Sequence, residues 1–342
     1  MMFAVDSAMT LYAGQLNGPG VAEEIQFNVI RSHQEHLFLP GLEKLGLDAE
    51  PDDALRCAKF HAFSNVLGGL PVRYGTDSRG RAWLVYDTPY WIDSPWTPSI
   101  AVAAVRPELL FSTMSAWHAN NGVMLKNDRL TFVFTHMVTK GDPFDAGFFL
   151  ESDRPVGADE RLVLSFGEPM PGDLVLVKPE FDPDVWPLAR QAKAWRNFST
   201  DYVGGRVFWS IRRLGIESAV EIFEYSFRLM LLQNRLKIAG AFGEASASEL
   251  EAAVASWSGA HRAWGDEVDV SGTGHERVCT VRRSRIHEVS EFAGTDGPLP
   301  TEFEAAVGRS WKTVIEYGWP GIKLRVDGAY GTSLPLTFTF SQ

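Results

Sequence analysis

Between Leu130 and Val138 the side chains alternate. Leu130, Phe132, Phe134, His136 and Val138 take one side, and Thr131, Val133, Thr135 and Met137 take the other. A period of two in β-branched and aromatic residues predicts a strand. Lys140-Gly141-Asp142-Pro143 follows as a turn signal, because Gly accepts positive φ and Pro fixes its own. Gly147 to Leu150 resumes as the returning strand, and Pro107 to Asn121, upstream, reads as a helix carrying Trp117-His118.

The same order returns near the end of the chain. Pro300 to Tyr317 is helical, Ile322 to Val326 stands for the outgoing strand, and Leu336 to Phe340 stands for the return. Offsets of 196, 194, 192 and 190 residues separate Arg81 from Arg277, Trp117 from Trp311, Leu130 from Ile322 and Phe148 from Phe338. The smooth drift predicts a diverged internal duplication. Further back, Leu45-Gly46-Leu47 with the helix at Ala54 aligns with Leu214-Gly215-Ile216 and the helix at Ala219.

Between these blocks, Val21 to Leu37 reads as a helix stopped by Pro40, and Trp186 to Leu214 as helical but broken near Gly204-Gly205. Arg161 to Phe166 and Asp173 to Val177 read as a hairpin. Ser246 to Glu249 reads as a capping box before another helix. Mixed helices and hairpins define an α+β protein. Its expected form is a pair of duplicated helix-plus-antiparallel-hairpin units in a pseudo-twofold, two-lobed arrangement. The expected boundaries are an N-terminal half at 1–151, a connecting hairpin and helix at 152–213, and a C-terminal half at 214–342.

Composition narrows the function classes. A net charge of −11 argues against a nucleic-acid or anionic-membrane binder, which needs a basic face. No apolar run approaches the ~20 residues that span a bilayer. Met1 to Asp6 lacks the basic start and apolar core of a secretory signal. Two cysteines, Cys57 and Cys279, exclude a disulfide framework and fit a reducing cytoplasm. The expected partner is a small-molecule substrate, with a homodimer left open.

The polar candidates are few. His118 can serve as acid or base near neutrality, and Asn121 can hold a carbonyl, although Asn121-Gly122 is also an ordinary helix end. In the second copy Lys312 stands in place of His118. Tyr90, Trp91 and Trp96 lie on a proline-rich loop that suits a flat apolar wall for a ligand. Asp142 and Asp145 flank the turn. The catalytic candidates are therefore His118, Tyr90 and Asp142, and the ligand-binding candidates are Trp91, Trp96, Trp117, Asn121 and Asp145. With ~3.3 Å per strand residue, the Asp142 turn lies far from the start of its strand, which ranks Tyr90 and Trp91 above Asp142 as companions of His118. His33 and His36 are three apart on a helix and could share a metal, but no third ligand accompanies them, so neither metal nor cofactor is expected. His136 is expected on the face of Phe132 and Phe134, and His61 and His261 as packed residues.

The hairpin Gly141-Asp-Pro-Phe-Asp-Ala-Gly-Phe-Phe-Leu150 resembles the L-2-amino-thiazoline-4-carboxylate hydrolase-like family. In that family a helix and strand lead through a Gly-Asp turn to a Cys and an aromatic strand. Gly141-Asp142 match the turn and Phe148 the strand, while Asp145 stands at the Cys position. In the second copy Gly331 matches, Thr332 replaces Asp, and Leu336 stands near the Cys position. The likeness covers the end of each half, about a third of the chain. It implies a small cytoplasmic hydrolase or ligand-binding domain acting on a small nitrogen- or sulfur-containing ring, with the Cys of any thiol chemistry missing. The leading functional expectation is a cofactor-free hydrolase of a C–N bond in a small ring or amide. The alternatives are an acid/base lyase or isomerase on a small aromatic substrate, or a non-catalytic, duplicated ligand-binding protein.

Overall fold

The computed structural model describes residues 2–87, 107–243, 246–288, 299–328 and 336–342, apart from the side chain of His287. Tyr90, Trp91, Trp96, Gly331 and Thr332 lie outside the described residues. The fold is α+β, with two separate sheets. It divides into an N-unit, Pro19–Trp195, and a C-unit made of Met1–Gly18 with Arg196–Gln342. The boundaries therefore differ from those expected at 151 and 213. The first helix belongs with the C-unit, and the connecting segment is shared between the two units.

In the N-unit, α2 (Pro19–Lys44) and α3 (Asp53–Leu67) precede a hairpin of β1 (Val72–Thr76) and β2 (Ala82–Asp87). Then come α4 (Pro107–Trp117), the single turn α5 (Asn121–Met124), β3 (Leu130–His136), β4 (Phe144–Glu151) and β5 (Leu162–Leu164). The sheet order is β1-β2-β4-β3-β5, antiparallel except for β5 on β3. The helix α2 continues past Pro40, where the sequence predicted a stop. Ile25, Val29 and Phe38 are buried along it, so packing outweighs the backbone hydrogen bond that Pro forfeits. Asp52 caps α3, its carboxylate accepting from Leu55 N at 2.9 Å.

In the C-unit, α1 (Met2–Asn17) packs with α7 (Ile216–Phe242). The helix α6 (Leu188–Leu214) crosses the unit boundary and is unbroken at Gly204-Gly205, both buried. The cap of α8 (Glu249–Trp264) is Ser248 rather than Ser246, accepting from Glu251 N at 3.2 Å. Gly265 ends that helix at φ 100°. The strands β6 (Glu267–Ser271) and β7 (Glu276–Arg283) follow, then α9 (Arg285–Glu288), α10 (Thr301–Gly318), β8 (Lys323–Asp327) and β9 (Thr337–Ser341). The sheet order is β6-β7-β9-β8. This is the N-unit order without β5.

The shared order corrects the residue alignment. The helix before the first hairpin is α3 in one unit and α8 in the other, so the helix at Ala54 answers to that at Leu250, not to that at Ala219. Two of the strand offsets also slip by one. Phe149 and Phe132 face the helices, as do Phe338 and Phe340, whereas Phe148 packs with Trp83 on the opposite face. An even offset therefore joins an inward to an outward residue in β2/β7 and β4/β9, because one step along a strand turns a side chain over.

Arg161–Phe166 and Asp173–Val177 do not form the expected hairpin. The first supplies β5 on the β3 edge, and Val177 bridges to Tyr74 on the β1 edge. The chain between them crosses the outer face, laying Met170, Leu174 and Leu176 on Trp83, Val133 and Phe148. A β-bulge between Phe134 and His136 resets the register, so His136 pairs with Ala146. His136 thereby leaves the row of Phe132 and Phe134, to which the plain alternation assigned it.

Candidate functional site

The inward face of the N-unit sheet changes character along its length. Ala82, Phe149 and Phe132 form one cross-strand row, and Leu84, Gly147 and Phe134 the next. Gly147 is required there, since a Cβ would stand 2.6 Å from the Phe132 ring. The final row pairs Tyr86 with Asp145. Directly opposed residues of an antiparallel pair lie on the same face, close together.

Asp145 is buried, with its Oδ1 accepting from Val138 N at 2.9 Å. Burial, the main cause, and the nearby Asp142 charge push its pKa up to about 6. Asp142 is committed to the turn: its Oδ2 accepts from Met137 N at 2.7 Å, and Gly141 takes φ 98° beside it.

His118 sits in the turn after α4, buried, with Nε2 2.9 Å from the Tyr86 hydroxyl. Its ring stacks on His61 from α3 at 4.1 Å between centroids and 15° between planes. Phe149 lies beside both rings at 5.6 and 5.7 Å. Burial lowers the His118 pKa well below the usual imidazole value, and His61 lowers it further. Burial brings His61 to about 3. Both rings are therefore neutral at pH 7. His118 is consequently a poor proton donor, and Asp145 is the group that titrates near neutrality. Trp117 packs edge-on to His61 at 5.6 Å.

Asn121 is fully buried and points away from any helix-capping role. Its Nδ2 donates to His61 Nε2 at 2.7 Å, and its Oδ1 accepts from Gln34 Nε2 at 2.9 Å. The Gln34 Oε1 in turn accepts from Asn120 Nδ2, and Asn120 Oδ1 accepts from Arg31 at 2.8 Å. The Cys57 thiol, one helical turn before His61, lies beside Asn121, and burial holds its pKa well up. Nδ1 of His61, Nδ1 of His118 and Nε1 of Trp117 are buried without a hydrogen-bond partner.

The structure thus brings His118, Trp117 and Asn121 around one polar core with His61, which was expected only as a packed residue, and Asn120; Asp145 pairs across the strands with Tyr86 of that core. Tyr86, Gln34 and Arg31 were not singled out by the sequence. Gln34 carried a readable signal, since it lies one turn from both Ile30 and Phe38 on α2. His33 is buried and His36 exposed, so these two do not form a shared surface pair. Among the described residues no group of three His, Cys, Asp or Glu is placed to hold a metal. No described helix is long and apolar enough to cross a membrane. A surface cleft of about 630 Å³, lined by residues including Asp52, Arg79, Arg81 and Glu151, holds none of these candidates.

The fold and this core define an α+β protein with a buried acid on the inward face of one sheet and a stacked histidine pair packed on that face. No family model, no curated protein and no solved structure matches the chain.

Proposed function

We propose that the protein hydrolyses a C–N bond in a small ring or amide at the Tyr86–Asp145 end of the N-unit sheet. The observation that carries this reading is the Asp145 carboxyl, raised to about 6 and opposed across the strands to Tyr86, which bonds His118. Hydrolysis needs a proton taken from water and another given to the leaving nitrogen. A carboxyl with a pKa near 6 populates both forms close to neutrality, which suits that exchange. In the forward step Asp145 takes a proton from water, whose oxygen bonds the carbonyl or amidine carbon. The protonated Asp145 then gives that proton to nitrogen as the C–N bond breaks. Tyr86, held by His118, orients the polar group of the substrate.

The test is turnover of a panel of lactams, cyclic amidines and small amides, followed by release of the ring-opened amine. Wild-type turnover that falls at least ~100-fold in a folded Asp145→Asn variant supports the reading. Turnover unaffected by Asp145→Asn refutes it.

A non-catalytic ligand-binding role is favoured by one observation: His61 and His118 are buried and neutral. A raised melting temperature with members of the panel, in the absence of any turnover, would select it.

We also read the two units as an internal duplication in which the N-unit keeps the polar chemistry. The common strand order supports this. The buried free thiols Cys57 and Cys279 fit a reducing compartment.

A further inference from the structure

A guanidinium can only donate hydrogen bonds. The Asn120 oxygen must therefore face Arg31, which bonds it at 2.8 Å and also donates to the carbonyl of Ala116 at 2.8 Å. With its oxygen so committed, Asn120 turns its amide nitrogen toward Gln34, whose oxygen accepts. Gln34 must then donate through its nitrogen, and it does so to Asn121 Oδ1 at 2.9 Å. Asn121 is left to donate through Nδ2, which meets His61 Nε2 at 2.7 Å. That ring nitrogen must carry the lone pair, so the proton of the neutral ring sits on Nδ1. Reversing any one amide would set donor against donor or acceptor against acceptor in a buried place.

We infer that Arg31 is a positioning residue: it sets the direction of a hydrogen-bond chain through Asn120, Gln34 and Asn121 that holds His61 in the Nδ1–H tautomer. The chain begins on α2, passes to the turn after α4, returns to α2, crosses to α5 and ends on α3. It ties three helices of the N-unit to one proton position. A second proton on His61 would require Nε2 to donate into the amide hydrogens of Asn121. The chain therefore keeps the His61 ring neutral. This role deepens the proposed site and rests on that reading only for its catalytic meaning; the tautomer itself does not depend on turnover.

The direction can be reversed by one atom. In Asn120→Asp both side-chain oxygens accept, one from Arg31 and the other from Gln34. Gln34 must then donate toward residue 120 and present its oxygen to Asn121. Asn121 turns over, presents its own oxygen to His61, and the ring proton moves to Nε2. Two-bond proton–nitrogen correlation spectra of the ¹⁵N-histidine-labelled full chain read this directly. The wild type is expected to show a pyrrole-type nitrogen at Nδ1 and a pyridine-type nitrogen at Nε2 of His61, and Asn120→Asp the reverse. A wild-type ring protonated at Nε2, or a folded Asn120→Asp variant with the wild-type pattern, overturns the inference. If that variant does not fold, Arg31→Met serves instead. It is expected to show averaged tautomers at His61, and an unchanged spectrum overturns the inference. No activity enters the measurement, so an inactive protein refutes the hydrolase reading and leaves this one standing.

Discussion

The two units share a strand order and differ in what they bury beneath their helices. In the N-unit the final inward row is Tyr86 with Asp145, and the Tyr86 hydroxyl meets His118, which stacks on His61. In the C-unit the equivalent positions are Val281 and Leu336, which are joined by a backbone bond from Val281 N to Leu336 O at 3.0 Å. Where α3 brings His61, α8 brings Trp257, fully buried against Phe338 at 4.7 Å. Lys312, in place of His118, points outward and bonds Glu316 at 2.6 Å. Buried polar pairs occur there too: His261 Nδ1 lies 2.7 Å from Asp266, among Trp257, Trp264 and Trp311, and Arg206 is bidentate on Asp6 at 2.8 and 3.1 Å. Beneath the helices the one sheet thus meets a histidine pair tied to an amide chain, and the other meets tilted indoles. The backbone pattern leaves that choice to side chains a few positions apart.

The sharpest break in the comparison is functional. Asp145→Asn is expected to lower turnover by at least ~100-fold, whereas Leu336→Asn at the matching position leaves turnover intact. Initial rates on folded proteins decide this, and an equal loss in both would erase the distinction between the units. Next comes stability. Trp257→Ala should cost about 3–5 kcal/mol by cavity formation. His61→Ala should cost about 1–3 kcal/mol, chiefly by stranding the Asn121 amide. Urea titrations followed at both units compare the two.

The pH response separates the groups by sign. The folded pKa of His61, about 3, lies below its unfolded value near 6.5, so its contribution is full above pH 6.5 and is lost as pH falls toward 3. Asp145 is the opposite case. Its raised pKa gives a contribution that is full below about 3.8 and is lost as pH rises through about 6. Asp145→Asn should therefore melt higher than the wild type at pH 7.5, by up to roughly 3 kcal/mol in stability, with the difference vanishing near pH 4. Melting curves across that range check it. The smallest effect concerns the outer faces. Arg81 lies 4.5 Å over the Phe148 ring and bridges Asp77 and Glu168, so Arg81→Ala should cost about 1–2 kcal/mol. Arg325 pairs with Asp327 in the open, and Arg325→Ala should change stability by less than about 0.5 kcal/mol.

Much of the frame was legible in the chain. The alternation of Phe132 and Phe134, the Gly141 turn and the helix before Trp117 all follow from local periodicity, and they are where that periodicity puts them. The parity of the alignment between the two units was not legible. Phe148 and Phe149 are both aromatic, and only pairing to Trp83 or Phe132 tells which one faces the helices. The polar core was less legible still. Gln34 meets Asn121 across 87 residues of chain, and no local pattern announces such a meeting. His118 and Asp145 stood out as types; Tyr86 did not, because a tyrosine closing an apolar strand reads as core until its hydroxyl finds a partner.

The strap from β5 to Val177 has a consequence for association between copies. An open sheet ends in rows of unpaired amides and carbonyls that can recruit a neighbouring chain. In the N-unit one margin is occupied by β5, and the other is touched by Val177, whose amide and carbonyl exchange bonds with Tyr74 at 2.8 and 3.0 Å. Gly75 makes that approach feasible, since a Cβ there would stand 2.1 Å from the Val175 carbonyl. The C-unit margins, β6 and β8, instead carry Glu267, Asp269, Lys323, Arg325 and Asp327. One sheet is sheltered from fibrous self-pairing by its own chain, and the other by charge. Salt would therefore weaken the protection of the second and leave that of the first almost untouched.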